Sequence, residues 1–320
     1  MAFIRLLRPI NLIIIALTMY GLGWYMDPME GCSCTYIVTS WHFFLLVIST
    51  VMIAAGGNII NDYFDVRADR INKPDKVIIG IKVKRRIAIV THWGINFVAF
   101  SIAVYLSYIM ESFWYVFIHL FSINVLWFYS MYLKRKFLTG NILIAALTAM
   151  VPLLVGVFFY QTNKMQFAFA QPEDLHPFEH LENTQYFLIY IAAFLSIFAF
   201  LLNLAREIIK DMEDVEGDKK LNAKTVPIVL GLKSSKTMIV TFLLIAFAAS
   251  VGIKYLIPEM SWMSYSPFIA VNLIILIIIA LTFKSQSRKE LRFINHLLKL
   301  SMSVGLLTPI FWKLLMEYGS

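Results

Sequence analysis

The chain has 320 residues, of which 59% are hydrophobic and only 15% charged, with a mean hydropathy of +0.72. Soluble domains carry about 25% charged residues, so this composition excludes one and marks an integral membrane protein. The formal charge of +8 sits in juxtamembrane runs and is better read as a topology signal, with some attraction to anionic lipid headgroups, than as a nucleic-acid surface.

In chain order, nine apolar stretches reach the roughly 20 helical residues that a bilayer requires. They lie near 10–26, 41–60, 86–109, 112–132, 139–160, 185–205, 237–257, 266–283 and 297–316. The first has no small-residue cleavage site behind it and is read as a retained span, not a signal peptide. Only a short gap near Glu111 divides the third span from the fourth, and Gly305 and Pro309 interrupt the ninth. Cys32 and Cys34 fall in the first external loop, where one intervening residue makes a strained ring, and they are read as ordinary loop residues. The loop from Gln161 to Thr184, with Pro172 and Pro177, is the longest external one.

With the N-terminus inside, alternate loops collect 25 of the 28 basic residues, and only Lys164, Lys254 and Lys313 fall elsewhere. Cytoplasmic loops retain positive charge, so the asymmetry supports both the helix count and the orientation. The expectation is an all-α, polytopic protein: a bundle of nine transmembrane helices around a central cavity, with a cytoplasmic N-terminus and residues 1–320 forming one domain. It is expected in the plasma membrane.

Two carboxylate clusters lie at the cytoplasmic edges of these spans. The first holds Asn61, Asp62, Asp65 and Asp69, and the second Asp211, Asp214 and Asp218. On a helix, positions four apart share a face, so Asn61, Asp65 and Asp69 project together, as do Asp214 and Asp218. Like charges so placed repel unless a cation sits between them, and an oxygen-only donor set suits a hard ion such as Mg2+, completed by phosphate oxygens. Asp65 and Asp214 are 149 residues apart, nearly half the chain, which points to a duplicated four-helix arrangement around one cavity.

Ionisable residues at matched depth in a membrane are expensive and mark a functional site. Two Mg2+-binding clusters gripping a diphosphate from both sides would neutralise it and make it a good leaving group. An isoprenoid tail on that diphosphate needs an apolar chamber, and aromatic rings, 15% of the chain, stabilise a developing carbocation through their quadrupole. Arg67, Arg70, Lys134, Arg135, Arg206 and Lys210 are near enough to reach phosphate oxygens or else serve as juxtamembrane topology residues. Gly56 and Gly57, one turn before Asn61, would let helices approach closely.

These residues carry a resemblance. The chain resembles the UbiA superfamily of intramembrane prenyltransferases over nearly its whole length. Asn61, Asp62, Asp65 and Asp69 match the family's NDxxDxxxD motif, and Asp214 and Asp218 match its DxxxD motif. The Tyr129 to Arg135 stretch resembles the family's tyrosine-to-lysine segment, and Arg8-Pro9 its N-terminal Arg-Pro pair. Within the superfamily, Arg206 to Lys210 running into Glu213 to Asp218, Lys224 to Pro227, and Leu133 to Arg135 followed by Gly140-Asn141 are most similar to the digeranylgeranylglyceryl phosphate synthases. Asp211 departs from that pattern, in which a small residue is common, and either adds a ligand or faces water.

The resemblance implies transfer of a geranylgeranyl group from its diphosphate to the hydroxyl of geranylgeranylglyceryl phosphate, in ether-lipid synthesis. It implies two Mg2+ ions, one on Asn61, Asp65 and Asp69 and one on Asp214 and Asp218, with Asp62 a secondary member. Asp65, Asp69, Asp214 and Asp218 are then the catalytic carboxylates. Lys134 with Arg206 or Lys210, and Arg67, would touch the diphosphate, and Tyr129 would lie near the reacting carbon. The expected partners are a prenyl diphosphate, a lipid-like acceptor and the bilayer, with no nucleic acid or protein partner. No cationic partner for the acceptor's phosphate and no general base stands out, and a dissociative reaction needs only a weak base such as a released phosphate oxygen.

Other functions remain open at this stage. The same chemistry with an aromatic, porphyrin or other alcohol acceptor uses the same motifs, because pocket shape holds acceptor identity. A cation-coupled secondary transporter would also carry intramembrane carboxylates, though near the midplane on broken helices. A CDP-alcohol phosphotransferase would need Asp-Gly and Ala-Arg elements ahead of its aspartates, and they are missing around Asp62 to Asp69. His42, His92, His119, His176, His180 and His296 are scattered, which argues against a zinc or haem site. No nucleotide fingerprint occurs.

Overall fold

The computed structural model describes residues 2–26, 40–72, 77–169, 181–256 and 260–318. Cys32, Cys34 and residues 170–180, with His176 and His180 among them, lie outside the described residues, and the two ends of the expected 161–184 loop are helical, in α6 and α7. The helices are α1 (Ala2–Leu7), α2 (Pro9–Met26), α3 (Ser40–Asn72), α4 (Arg85–Ile109), α5 (Trp114–Met131), α6 (Thr139–Phe169), α7 (Leu181–Lys220), α8 (Val226–Leu256), α9 (Trp262–Lys284) and α10 (Arg288–Tyr318). Nine of these, all but α1, are long and apolar enough to cross a membrane. Among the described residues there is no strand, only an isolated bridge between Ile79 and Val83. The protein is a multi-pass membrane protein whose outer surface leaves Phe97 72%, Ile10 73% and Tyr108 81% exposed, which suits hydrocarbon rather than water.

Several helices outrun their apolar cores. Helix α3 continues to Asn72 and α7 to Lys220, so both aspartate clusters ride on unbroken helix beyond the apolar part of each span. The seventh span starts at Val226 instead of 237 as two helical pieces; in the second, Lys233 and Lys236 lower the local hydropathy while the backbone stays helical. A kink there falls on Gly231, whose φ of 80° is open to glycine at little steric cost. The ninth likewise starts at Arg288, and Pro309 lies inside it without ending it, a tolerance common in membrane helices.

Small residues set the closest approaches. A Cβ on Gly56 would meet the Asn96 side chain of α4 at 2.9 Å, and one on Gly57 would meet Leu126 of α5 at 2.9 Å. The His92 ring places Nδ1 2.9 Å from the Gly56 carbonyl oxygen, which tightens the α3–α4 seam. These contacts hold α3 upright beside the cavity described below.

Two apolar clusters close the bundle. One gathers Met26, Phe43, Tyr115, Phe158, Phe268 and Trp312 at the end away from the aspartates. There Phe43 packs at 5.3 Å between ring centroids on both Phe158 and Phe159. The other joins α7 to α8, α9 and α10 through residues such as Ile208, Ile239, Ile275 and Ile294. After α3 the chain turns at Gly80 (φ 85°) and buries Val77, Ile79 and Val83 against Leu6, Ile59 and Val66. That turn fixes α1, and with it Arg8, beside the first aspartate cluster.

Candidate active site

A cavity of about 310 Å³ lies between α2, α3, α5, α6 and α7. Asn61, Arg8, Tyr129, Arg206, Glu207 and Lys210 line it toward the aspartate end. Further in the wall becomes largely apolar, with Ile53, Ile118, Leu126, Val151 and Leu154 interrupted by Thr50, Ser122 and His119. His119 is fully engaged, with Nδ1 2.8 Å from the Tyr115 carbonyl oxygen and Nε2 2.9 Å from Ser49 Oγ.

Lys134 occupies the mouth. It sits on a 3-10 turn, Leu133–Arg135, between α5 and α6, and its Nζ donates to Asp65 Oδ1 and lies 3.4 Å from Asn61 Oδ1. Gly140 makes this turn possible, because a Cβ there would stand 2.7 Å from Lys134 Cα and 3.1 Å from the Leu133 carbonyl oxygen. The same turn reaches the second cluster: the Lys224 backbone N–H, four residues past the end of α7, donates to the Arg135 carbonyl at 2.8 Å. Asp218 interacts through space with Asp214, with Asp65 across the mouth, and with the Lys134 ammonium. The two clusters, far apart in sequence, face each other around one lysine.

The remaining charges are distributed around that centre. Arg8 Nη2 donates to Asp62 Oδ1 at 2.5 Å. Asp211, half-buried, accepts from Asn141 Nδ2 at 2.8 Å through its Oδ2 and lies within the fields of Glu207 and Asp218. Glu207, only 5% exposed, accepts from Arg206 Nη1 at 2.8 Å and from Lys210 Nζ at 2.7 Å. Tyr129 lines the cavity within the fields of Glu207, Asp211, Asp65 and Arg8. Asp69 and Asp214 are half-buried at the same end.

Arg67 and Arg70 are exposed and line no part of the cavity. Helical periodicity accounts for Arg67, which is two residues past Asp65 and so about 200° around the helix. Arg8, Glu207 and Asn141 entered the sequence reading only within stretches that carry the resemblance, with no role assigned to them, and Asn203 did not enter it. For Glu207 the signal available in sequence was an acidic residue between Arg206 and Lys210 at the edge of an apolar span.

Donor chemistry fits a hard divalent cation. The facing carboxylates of α3 and α7 offer oxygen only, and their mutual repulsion is relieved here by Lys134. Among the described residues, no three Asp, Glu, His or Cys side chains already converge as a metal cluster. Such a cation would therefore join side chains across the mouth instead of filling a preformed cage.

A model described as the UbiA prenyltransferase family matches residues 33–302. The digeranylgeranylglyceryl phosphate synthase of Thermococcus sibiricus is 31% identical over 307 residues, covering 94% of this chain and 92% of its own. A solved structure described as digeranylgeranylglyceryl phosphate synthase superposes with a TM-score of 0.67 at 22% identity, covering 97% of this chain and 96% of its own. A UbiA homolog from Archaeoglobus fulgidus bound to DMAPP and Mg2+ gives a TM-score of 0.53 at 16% identity, covering 96% of this chain and 99% of its own.

Proposed function

The chain belongs to the UbiA prenyltransferase family, and from that premise we propose that it transfers a geranylgeranyl group from its diphosphate to the free hydroxyl of geranylgeranylglyceryl phosphate. The observation that carries this reading is the meeting of two aspartate clusters around Lys134, at the mouth of a cavity whose inner wall is mainly apolar. That arrangement suits a substrate with a multiply charged head and a long hydrocarbon tail. The acceptor is taken from the relative of Thermococcus sibiricus and its full-length similarity.

In the proposed mechanism Asn61, Asp62, Asp65 and Asp69 on α3, and Asp214 and Asp218 on α7, would hold Mg2+, two ions in all. When bound, the metal neutralises the diphosphate and stabilises it as a leaving group. Lys134, fixed beside Asn61 and Asp65, offers its ammonium to a diphosphate oxygen. As the bond between the allylic carbon and the diphosphate oxygen breaks, Tyr129 presents its ring to the developing cation. Leu126, Val151 and Leu154 keep water from that carbon. The acceptor oxygen then bonds to the carbon, and its proton passes to an oxygen of the departing diphosphate. No basic side chain is needed for this transfer.

We place the mouth on the cytoplasmic side of the plasma membrane, because 25 of 28 basic residues fall on loops and helix ends of that face. The experiment is an acceptor panel: purified protein, Mg2+, labelled geranylgeranyl diphosphate, and geranylgeranylglyceryl phosphate beside 4-hydroxybenzoate, dihydroxynaphthoate and haem. Chelator-sensitive label on the glyceryl phosphate is expected. Transfer to an aromatic acceptor or haem instead would overturn the acceptor assignment, and no transfer to any of them would overturn the reaction.

A further inference from the structure

A second group of cations lies apart from Lys134 at the mouth. Arg206 and Lys210 line the cavity and hold the two oxygens of Glu207 between them. Lys299, on α10, which packs against α7, lies within the fields of Arg206, Lys210 and Glu207. Three cations surround Glu207, and with Asp211 one turn along α7, hydrogen-bonded to Asn141, counted as a second carboxylate, at least one positive charge stays in excess. Nearby Glu213 does not offset it, since it has partners of its own: Asn295 Nδ2 at 3.2 Å and Arg292 Nε at 3.7 Å.

Arg206 also carries an unfilled bond. Its Nη1 donates to Asn203 Oδ1 at 3.2 Å and to Glu207, yet its buried Nε has no acceptor. Buried donors without partners are rare in folded proteins and ask for a ligand oxygen. A phosphate monoester carries a charge of about −1.5 to −2 at pH 7 with three acceptor oxygens, which matches both the excess charge and the open donor.

This group is distinct from the diphosphate end. Eight residues separate Arg206 from Asp214 on α7, about 12 Å along the helix, and Lys134 belongs to the Asp65 side. Tyr129 lines the cavity within the fields of both Glu207 and Asp65. We propose that Arg206, Lys210 and Lys299 receive the phosphate monoester of the acceptor, so that its hydroxyl is presented at Tyr129 while the donor diphosphate stays at the aspartates. Arg206 and Lys210 thereby pass from the donor, where family resemblance put them, to the acceptor. The identity of the acceptor rests on the prenyl-transfer reading; the affinity of the site for a lipid phosphomonoester does not.

The test is equilibrium binding to the full-length protein in detergent, using a labelled alkylglyceryl phosphate, the neutral alkylglycerol, inorganic phosphate, and geranylgeranyl diphosphate with Mg2+. Lys299 is exposed, so Lys299→Gln is expected to fold. The variant should weaken alkylglyceryl phosphate binding at least tenfold and leave the donor and the neutral lipid within twofold, and Lys299→Arg should restore binding. An equal loss of donor affinity would assign these cations to the diphosphate and overturn the proposal. So would unchanged phosphomonoester binding, or inorganic phosphate binding as tightly as the lipid. A wild-type protein that shows the expected binding pattern but transfers no geranylgeranyl group to the phosphorylated acceptor would refute the function proposed above and leave this site standing.

Discussion

Gly140 offers a perturbation whose size can be worked from the structure. It is the second residue of α6 and touches no substrate in the proposed mechanism, yet its missing Cβ is what lets the Lys134 turn close against the helix. In Gly140→Ala the new methyl would stand 2.7 Å from Lys134 Cα. Ordinary contact begins at 3.4 Å, so the turn must retreat by about 0.7 Å. The obstruction is backbone and cannot rotate away. Overpacking of this kind costs about 1–3 kcal/mol, and a displacement near 1 Å in a reacting geometry costs about 10²-fold in rate. Lys134 sets both the diphosphate contact and the spacing of Asp65, so a kcat loss of about 10- to 100-fold is expected. The assay is geranylgeranyl transfer at saturating Mg2+ and substrates, with thermal unfolding measured alongside. Gly94→Ala is the control, since nothing lies within 4 Å of its Cβ position. If Gly140→Ala kept its rate within twofold of Gly94→Ala, the claim that this turn positions Lys134 would be wrong.

Arg8→Gln removes the partner of Asp62 across a part-exposed pair, so stability should change by no more than about 1 kcal/mol. The KM for the donor should nevertheless rise severalfold, and an unchanged KM would remove Asp62 from the diphosphate end. Ser122→Phe fills the inner wall of the cavity. It should raise the KM for geranylgeranyl diphosphate at least tenfold while that for geranyl diphosphate moves much less, and parallel losses on both donors would show that the tail runs elsewhere.

What could be read from the sequence follows how local each feature is. The shared face of Asn61, Asp65 and Asp69 needs only helical periodicity, and α3 supplies it as far as Asn72. The spans were legible for the same reason, since hydrophobic runs of bilayer length admit few other structures. Partner choice is tertiary and was not legible. Arg8 meets Asp62 across 54 positions, and Asn141 meets Asp211 across 70; neither spacing has a local signature. Asp211 consequently turned out to be a hydrogen-bonded group at the α6–α7 seam. The basic helix ends blurred boundaries too, because α8 stays helical through Lys233 and Lys236 where hydropathy alone predicts a loop.

The central claim is that the α3 and α7 carboxylates act as one site for one diphosphate. The most direct measurement is the Mg2+ dependence of geranylgeranyl diphosphate binding in wild type, Asp65→Asn and Asp214→Asn, each checked for its wild-type unfolding temperature. Both aspartates are half-buried and are members of none of the apolar clusters, so both variants should fold. The account predicts that Mg2+ tightens donor binding in wild type and that either substitution alone abolishes this effect. A variant of either residue that kept the full Mg2+ enhancement would contradict it, because one cluster would then suffice without the other.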